Sequence, residues 1–201
     1  MLAPLIVLVI AAALLALVAR KVAARQTKAR DERVRAIMQG FRTKPLDVAV
    51  KPVTWSSLPL FVVAATAALV WWLYHSGRHT AALAIGVTPI VAAAVGQAFT
   101  TFFPQPKPPD ATGKEKGKQP ATFPSGHTTG VTGEALAIAY VLFHEQLASP
   151  AVVALLVTWP LLVGVTRLYR DKHWLSDIVA GWIAGIAVAS VSILLYQARL
   201  L

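Results

Sequence analysis

Six long apolar stretches alternate with polar segments along the chain. They cover Leu2–Ala19, Leu58–Tyr74, Thr80–Phe103, Thr128–Phe143, Ala148–Val165 and Leu175–Tyr196. A bilayer core about 30 Å thick is crossed by about 20 helical residues, and backbone polar groups cannot stay unpaired in lipid. Five of the runs reach or approach this length, and the fourth is shorter and contains Glu134. The pattern predicts an all-α integral membrane bundle of six transmembrane helices.

The chain shows no internal repeat, so we expect a single membrane domain over residues 1–201. It would comprise the first helix and a basic loop (residues 1–57) and a helical core (residues 58–201). Small residues in "ALVARKVAA" would allow signal-peptide cleavage after the first run. However, positive charge follows this run instead of preceding it, which favours a retained helix.

Composition narrows the class of protein further. Hydrophobic residues make up 56% of the 201 residues and charged residues only 14%, too few charges for an ordinary soluble domain. The absence of cysteine excludes disulfides, thiolate nucleophiles and Cys-ligated zinc. The net charge of +10 favours anionic lipid headgroups or phosphorylated substrates as partners. Nucleic acid is not expected, because the basic residues are spread over loops without a recognisable binding module.

The basic residues also predict an orientation. With six spans, the loops after the first, third and fifth helices share one side, and they hold seventeen of the nineteen Lys and Arg residues. The positive-inside rule makes this side cytoplasmic and places both termini outside. The inference depends mainly on the ten basic residues of the first loop: Arg20, Lys21, Arg25, Lys28, Arg30, Arg33, Arg35, Arg42, Lys44 and Lys51.

Within that first loop, four apolar residues recur at helical spacing among arginines: Val34, Ile37, Met38 and Phe41. The i, i+3, i+4, i+7 pattern is typical of an amphipathic helix. We expect this helix to lie on the membrane surface, although a solvated continuation of the first helix is the alternative.

Two polar motifs flank the fourth and fifth runs. "PSGH" (residues 124–127) precedes the fourth run, and "TRLYRDKHWLSD" (residues 166–177) precedes the sixth. In the second motif, His173 and Asp177 are i and i+4 neighbours if a helix begins near Lys172, so the carboxylate can fix the histidine tautomer. Arg167 offers a planar pair of donors suited to phosphate. Both motifs lie on the same loop side, so they predict a phosphoryl-transfer site.

Ser125 and Glu134 each have a simpler interpretation. A serine-hydrolase nucleophile normally lies in Gly-x-Ser-x-Gly, and "FPSGH" lacks the first glycine, so a nucleophilic Ser125 is disfavoured. Glu134 lies seven residues after His127, nearly on the same helical face and two turns deeper. We expect it to face the interior with a hydrogen-bond partner. A part in binding or proton transfer stays open.

The two motifs resemble the second and third signatures of the type 2 phosphatidic acid phosphatase family. The third signature usually opens with Ser-Arg, which is Thr166-Arg167 here. The resemblance implies an integral-membrane lipid phosphate phosphatase with a catalytic core in residues 58–201 and no cofactor or metal. It also implies roles for six residues: His173 is the nucleophile forming a phosphohistidine, Asp177 orients it, His127 is the general acid, and Ser125, Gly126 and Arg167 bind phosphate.

The first family signature is incomplete in this chain. The family has a lysine, six residues and then Arg-Pro, whereas Lys107-Pro108 is the nearest match here, with Thr100 seven residues before it. With a local insertion, Gln97 takes the lysine position. Lys107 either binds phosphate or belongs to a solvated loop anchored by anionic lipid. Lys114, Lys116 or Lys118 could replace the missing cation, although the solvated loop is favoured for these three.

The resulting expectation is hydrolysis of a phosphomonoester or diphosphate of a membrane lipid in the cell membrane. The candidate substrates are phosphatidylglycerol phosphate, a polyprenyl-linked sugar phosphate, a polyprenyl diphosphate and phosphatidic acid. The alternative is a lipid-phosphate binding or transport protein with impaired catalysis, which the incomplete first signature motivates. The sequence leaves the lipid tail, the headgroup and the oligomeric state open.

Overall fold

A computed structural model describes residues 1–103, 105–109 and 121–198 of the chain. Within these ranges the regular secondary structure is entirely helical. The nine helices are α1 (Leu2–Ala23), α2 (Lys28–Gly40), α3 (Lys44–Ala49), α4 (Lys51–Ser56), α5 (Pro59–His75), α6 (His79–Phe102), α7 (Gly126–His144), α8 (Pro150–Tyr169) and α9 (Leu175–Ala198).

Each of the six predicted apolar runs forms one helix, namely α1 and α5 to α9, which confirms the all-α fold class. By length and composition, α1, α6, α8 and α9 can each cross a membrane. The pair α3–α4 with α5, bent by 48°, adds a fifth candidate. The count of six spans is not confirmed, because α7 does not meet these criteria. Its glycines, threonines and Glu134 make it less apolar than its neighbours.

Helix α7 lies at the centre of the bundle and packs mainly against α9, α8 and α6, while α1 packs against α9. Small residues allow α9 to approach α7 closely. A Cβ added at Gly181 would lie 2.8 Å from Cβ of Thr128 and 3.1 Å from the carbonyl oxygen of Ser125. The glycine therefore brings the first turns of α7 and α9 together, and these turns contain both sequence motifs.

Different side-chain contacts join the loops at the two ends of the bundle. At one end, Arg35 of the first loop bonds to Asp171 after α8 and to the carbonyl of Pro109 after α6. At the other end, Arg78 pairs with Glu145 across 3.3 Å. The loops after α1, α6 and α8 thus meet at one end, as the alternating topology predicted.

The outer surface of the bundle exposes large apolar side chains, as expected of a membrane protein. On α5, Leu60 is 82% exposed and Trp71 is 64% exposed, and α1 exposes a similar row of Leu, Ile and Val residues. These faces find no protein partner within the described residues, so lipid is the environment that suits them.

The predicted helix in the first loop exists as α2, and it has two different faces. Ile37 and Phe41 are 51% and 62% exposed, respectively. Asp31, Arg35 and Gln39 lie on another face and bond to residues near the start of α9. Contact between α2 and the membrane surface stays a prediction.

Candidate active site

The first motif forms the start of α7. Ser125 is the N-cap residue, with an extended backbone, and its Oγ accepts hydrogen bonds from the N–H and the hydroxyl of Thr128. The Ser125 side chain is fully buried. Its cap leaves the first-turn N–H groups of Gly126 and His127 without an intrahelical acceptor, and such groups bind anions.

The second motif lies directly against this cap. The Ser125 N–H donates to the carbonyl oxygen of Asp177 over 3.0 Å. The carboxylate of Asp177 is fully buried, and its Oδ2 accepts from the N–H of Trp174 at 3.0 Å and from Nδ1 of His173 at 3.3 Å. With the proton on Nδ1, the Nε2 atom of His173 has a free lone pair, as a nucleophile requires.

A cavity of about 490 Å³ brings four of the predicted site residues together. Gly126, His127, Arg167 and His173 line it, in company with residues of α5, α6 and α7. The Nε of Arg167 is buried and has no hydrogen-bond partner among the described residues. An unpaired guanidinium nitrogen beside two imidazoles is suited to an oxyanion ligand.

Electrostatics in the loop before α9 favour a neutral imidazole at His173. Burial lowers the pKa of His173, and the positive charges of Arg167 and Lys107 lower it further. The hydrogen bond and negative charge of Asp177 oppose this shift but do not cancel it. His173 is therefore unprotonated around neutral pH.

Lys107 does not line the cavity, but it lies close enough to act electrostatically on both His127 and His173. The segment that carries it is held on both sides. Trp174 Nε1 donates to the carbonyl of Pro106 at 2.8 Å, and Arg35 donates to that of Pro109 at 2.7 Å. These contacts place a cation near the site.

The two positions that correspond to the missing first-signature lysine, Gln97 and Thr100, both line the cavity. Neither carries a charge, so the structure puts an uncharged wall where the family has a cation. The other proposed replacements, Lys114, Lys116 and Lys118, lie outside the described residues.

Sequence reasoning missed a set of contacts from α2 that brace the segment between α8 and α9. We call these contacts the α2 clamp: Asp31 with Ser176, and Arg35 with Asp171. Asp31 accepts from the N–H and the hydroxyl of Ser176, both at 2.8 Å. Arg35 donates to both carboxylate oxygens of Asp171 at 2.7 and 2.8 Å. The i, i+4 spacing of Asp31 and Arg35 was visible in the sequence, but their partners lie more than 130 residues away.

Within the described residues, no group of three or more His, Asp or Glu side chains is arranged to hold a metal ion. Metal independence itself stays a prediction.

Two solved structures have a similar fold. One is a transmembrane PAP2-type phosphatidylglycerolphosphate phosphatase from Bacillus subtilis, with a TM-score of 0.80 and 16% identity over 96% of this chain and 97% of that one. The other is LpxE from Aquifex aeolicus, with a TM-score of 0.62 and 22% identity over 80% of this chain and 93% of that one. These likenesses establish the fold: an all-helical bundle like that of a transmembrane PAP2-type phosphatase.

The sequence profile of the PAP2 superfamily matches residues 80–201, which contain both motifs and the cavity-lining residues of α6, α7 and α8. The chain belongs to the PAP2 superfamily. This confirms the family resemblance drawn from the motifs.

Proposed function

We propose that the protein is an integral-membrane lipid phosphate phosphatase that works through a phosphohistidine intermediate. The observation that carries the proposal is the meeting of His127, Arg167 and His173 in one cavity, with Asp177 behind His173. Residues 1–57 and 58–201 act as one unit in this proposal, which the α2 clamp supports.

In the first step, Nε2 of His173 attacks phosphorus, and the bond from phosphorus to the leaving oxygen breaks. Burial and the positive charges of Arg167 and Lys107 lower the pKa of His127 to about 4 in the free protein, so a substrate bound as the phosphate monoanion must bring the proton that His127 takes up. His127 donates this proton to the leaving oxygen, so the lipid leaves as an alcohol or a phosphate. In the second step, His127 takes a proton from water, the water oxygen attacks phosphorus, and the phosphorus–nitrogen bond breaks. Orthophosphate and free His173 are the products.

Phosphate binding in this mechanism uses Arg167, the first-turn N–H groups of Gly126 and His127, and the nearby charge of Lys107. These donors are fixed before the substrate arrives, so they stabilise the charge that develops on the equatorial oxygens. Ser125 contributes through its cap, which aims the N–H groups at the cavity. The family resemblance implied direct contact between the Ser125 hydroxyl and phosphate, but we propose the capping role instead, because Oγ already accepts two hydrogen bonds from Thr128.

The charge distribution supports a cytoplasmic catalytic face, because the basic first loop lies at the same end as the site. A substrate made on that side, such as phosphatidylglycerol phosphate or a polyprenyl-linked sugar phosphate, suits this orientation. A reporter fused after Leu201 tests it. Activity of a periplasm-type reporter supports the proposal, and activity of a cytoplasmic reporter contradicts it.

A release assay across four phosphorylated lipids tests the activity: phosphatidic acid, phosphatidylglycerol phosphate, a polyprenyl diphosphate and a polyprenyl sugar phosphate. We expect phosphate release by the wild type, loss of release in His173→Ala, and no loss with EDTA. The uncharged Gln97 and Thr100 favour the second candidate, a lipid-phosphate binder without turnover. Vanadate binding without release of phosphate from any of the lipids supports that alternative.

A further inference from the structure

Glu134 is a buried acid that the proposed mechanism does not use. It is only 4% exposed, and it lines the same cavity as His127 and His173. The Thr66 hydroxyl of α5 lies near the carboxyl, but neither carboxyl oxygen has a hydrogen bond of normal geometry to the described residues. Even a complete bond from Thr66 would leave further acceptor positions of the carboxyl unfilled, whether or not the carboxyl carries a proton. A buried carboxyl in this condition needs a further donor.

The position of Glu134 tells where that donor lies. The cavity-lining residues of α7 are Gly126, His127, Gly130, Val131 and Glu134, which form one face of the helix. Seven residues separate Glu134 from His127, or about 10 Å along the helix axis. A hydrogen bond at each end takes up about 3 Å. About 5 Å, or a few covalent bonds, then separates a phosphate oxygen at His127 from a donor at Glu134.

Much of the cavity wall is apolar. Val62, Val63, Ala92 and Ala93 contribute to it from α5 and α6. Glycines widen it, because a Cβ at Gly96 or Gly130 would meet no atom within 4 Å. Among the described residues, the cavity thus has a basic end for phosphate, apolar side chains that suit carbon, and one acid, Glu134.

We infer that Glu134 selects lipid phosphates that carry a hydroxyl or amide N–H within a few bonds of the scissile phosphate. A polyol, sugar or amide-linked backbone supplies such a donor. A bare polyprenyl chain does not, and it would leave the carboxyl buried and unpaired, which costs binding free energy. The inference rests on the proposed phosphatase function and names its substrate class.

Two matched lipids test the inference: an alkyl glycerol phosphate with a free middle hydroxyl, and the alkyl propanediol phosphate that lacks it. We expect the wild type to hydrolyse the hydroxyl-bearing lipid with a kcat/KM at least about tenfold higher. Glu134→Leu should lower kcat/KM for this lipid to that of its deoxy analogue, without lowering kcat/KM for the analogue. Glu134→Gln keeps an acceptor oxygen and should retain part of the preference.

Thr132→Val is the matched control, because Thr132 is a buried α7 residue that does not line the cavity. It should keep the wild-type preference. Equal hydrolysis of both lipids by the wild type would mean that water alone satisfies Glu134, and it would overturn the inference without touching the phosphatase proposal. A preference that survives in Glu134→Leu would also overturn it. Failure of the wild type to hydrolyse either lipid would count against the proposed function itself. Repeating the comparison with an acylamino-sugar phosphate and its deoxy analogue tells whether Glu134 prefers a donor on a glycerol or on a sugar.

Discussion

The N–H of Ser125 donates to the carbonyl oxygen of Asp177 over 3.0 Å and so joins the two signature motifs through their backbones. This bond does not depend on the Ser125 side chain, whose Oγ is used to cap α7. The cap and the interhelix bond together fix where His127 and His173 lie relative to each other.

Replacing Ser125 distinguishes its role as a helix cap from a role in phosphate binding. We expect Ser125→Ala to cost about 1 kcal/mol of stability, the usual loss for an N-cap, and to leave vanadate affinity within about threefold of the wild type. Thermal unfolding and vanadate inhibition measure the two effects. If vanadate affinity fell about a hundredfold, the Ser125 hydroxyl would be a phosphate ligand instead.

The pH profile reports the protonation of His173. Burial lowers its pKa, and only the neutral imidazole attacks phosphorus. As the pH falls through this pKa, His173 gains a proton and kcat/KM drops, so the acidic limb should lie below pH 6.5, the usual histidine value. A profile of kcat/KM against pH in detergent micelles measures the limb. An acidic limb above this value would contradict a buried neutral nucleophile.

Asp177→Asn should shift the acidic limb of the pH profile and lower the plateau value of kcat. The carboxylate raises the pKa of His173 against the effect of burial, so its removal shifts the acidic limb to still lower pH. The plateau kcat should fall by about 10²–10⁴, because the amide no longer fixes the productive tautomer. A lower plateau with an unshifted limb would mean that Asp177 serves only structure.

The α2 clamp should support catalysis from outside the cavity. Arg35→Ala should lower both stability and kcat, because Asp171 then loses two charge-assisted bonds. Asp171→Ala should cost a similar amount, and the double variant should lose little more than either single one. Arg42→Ala is the control. Its pair with Asp47 is 4.0 Å long and about half exposed, so we expect a change below about 1 kcal/mol. Additive losses at Arg35 and Asp171 would contradict coupling.

Because Gln97 is uncharged, we expect a lysine at this position to strengthen oxyanion binding. Gln97→Lys adds a cation where the family signature has one and should tighten vanadate inhibition by about tenfold. Lys107→Ala should weaken it, since Lys107 acts on both histidines. Lys51→Ala, at an exposed position in α4, controls for the change in net charge. Unchanged inhibition in Gln97→Lys would show that the site already has its full set of cations.

Local pattern and chemistry made much of the fold predictable. The apolar runs gave α1 and α5 to α9 to within a few residues, because membrane helices must satisfy their own backbones. The motifs predicted that Gly126, His127, Arg167 and His173 would meet, and the cavity brings these four together. Spacing predicted the His173–Asp177 bond, and the bond is present. The helix start near Lys172 on which that prediction depended is wrong, because α9 begins at Leu175 and His173 lies in the loop before it.

The long-range contacts could not be predicted from the sequence. In the sequence, Arg35 is one of ten basic residues in the first loop. No local pattern predicts its bond to Asp171, which lies 136 positions away. Glu134 was expected to have a hydrogen-bond partner, but its oxygens have none of normal geometry within the described residues. Helix propensity and hydropathy cannot predict whether a buried carboxyl finds a hydrogen-bond partner, because that depends on which side chains three separate helices bring together.

Trapping the covalent intermediate tests the central claim most directly. The protein would be mixed with a labelled lipid phosphate, quenched within milliseconds in denaturant at alkaline pH, where phosphohistidine survives, and analysed for label on His173. The wild type should carry label, His127→Ala should accumulate it with leaving groups that need no proton, and His173→Ala should carry none. Rapid phosphate release with no label on His173 in the wild type, or turnover retained in His173→Ala, would contradict the phosphohistidine mechanism.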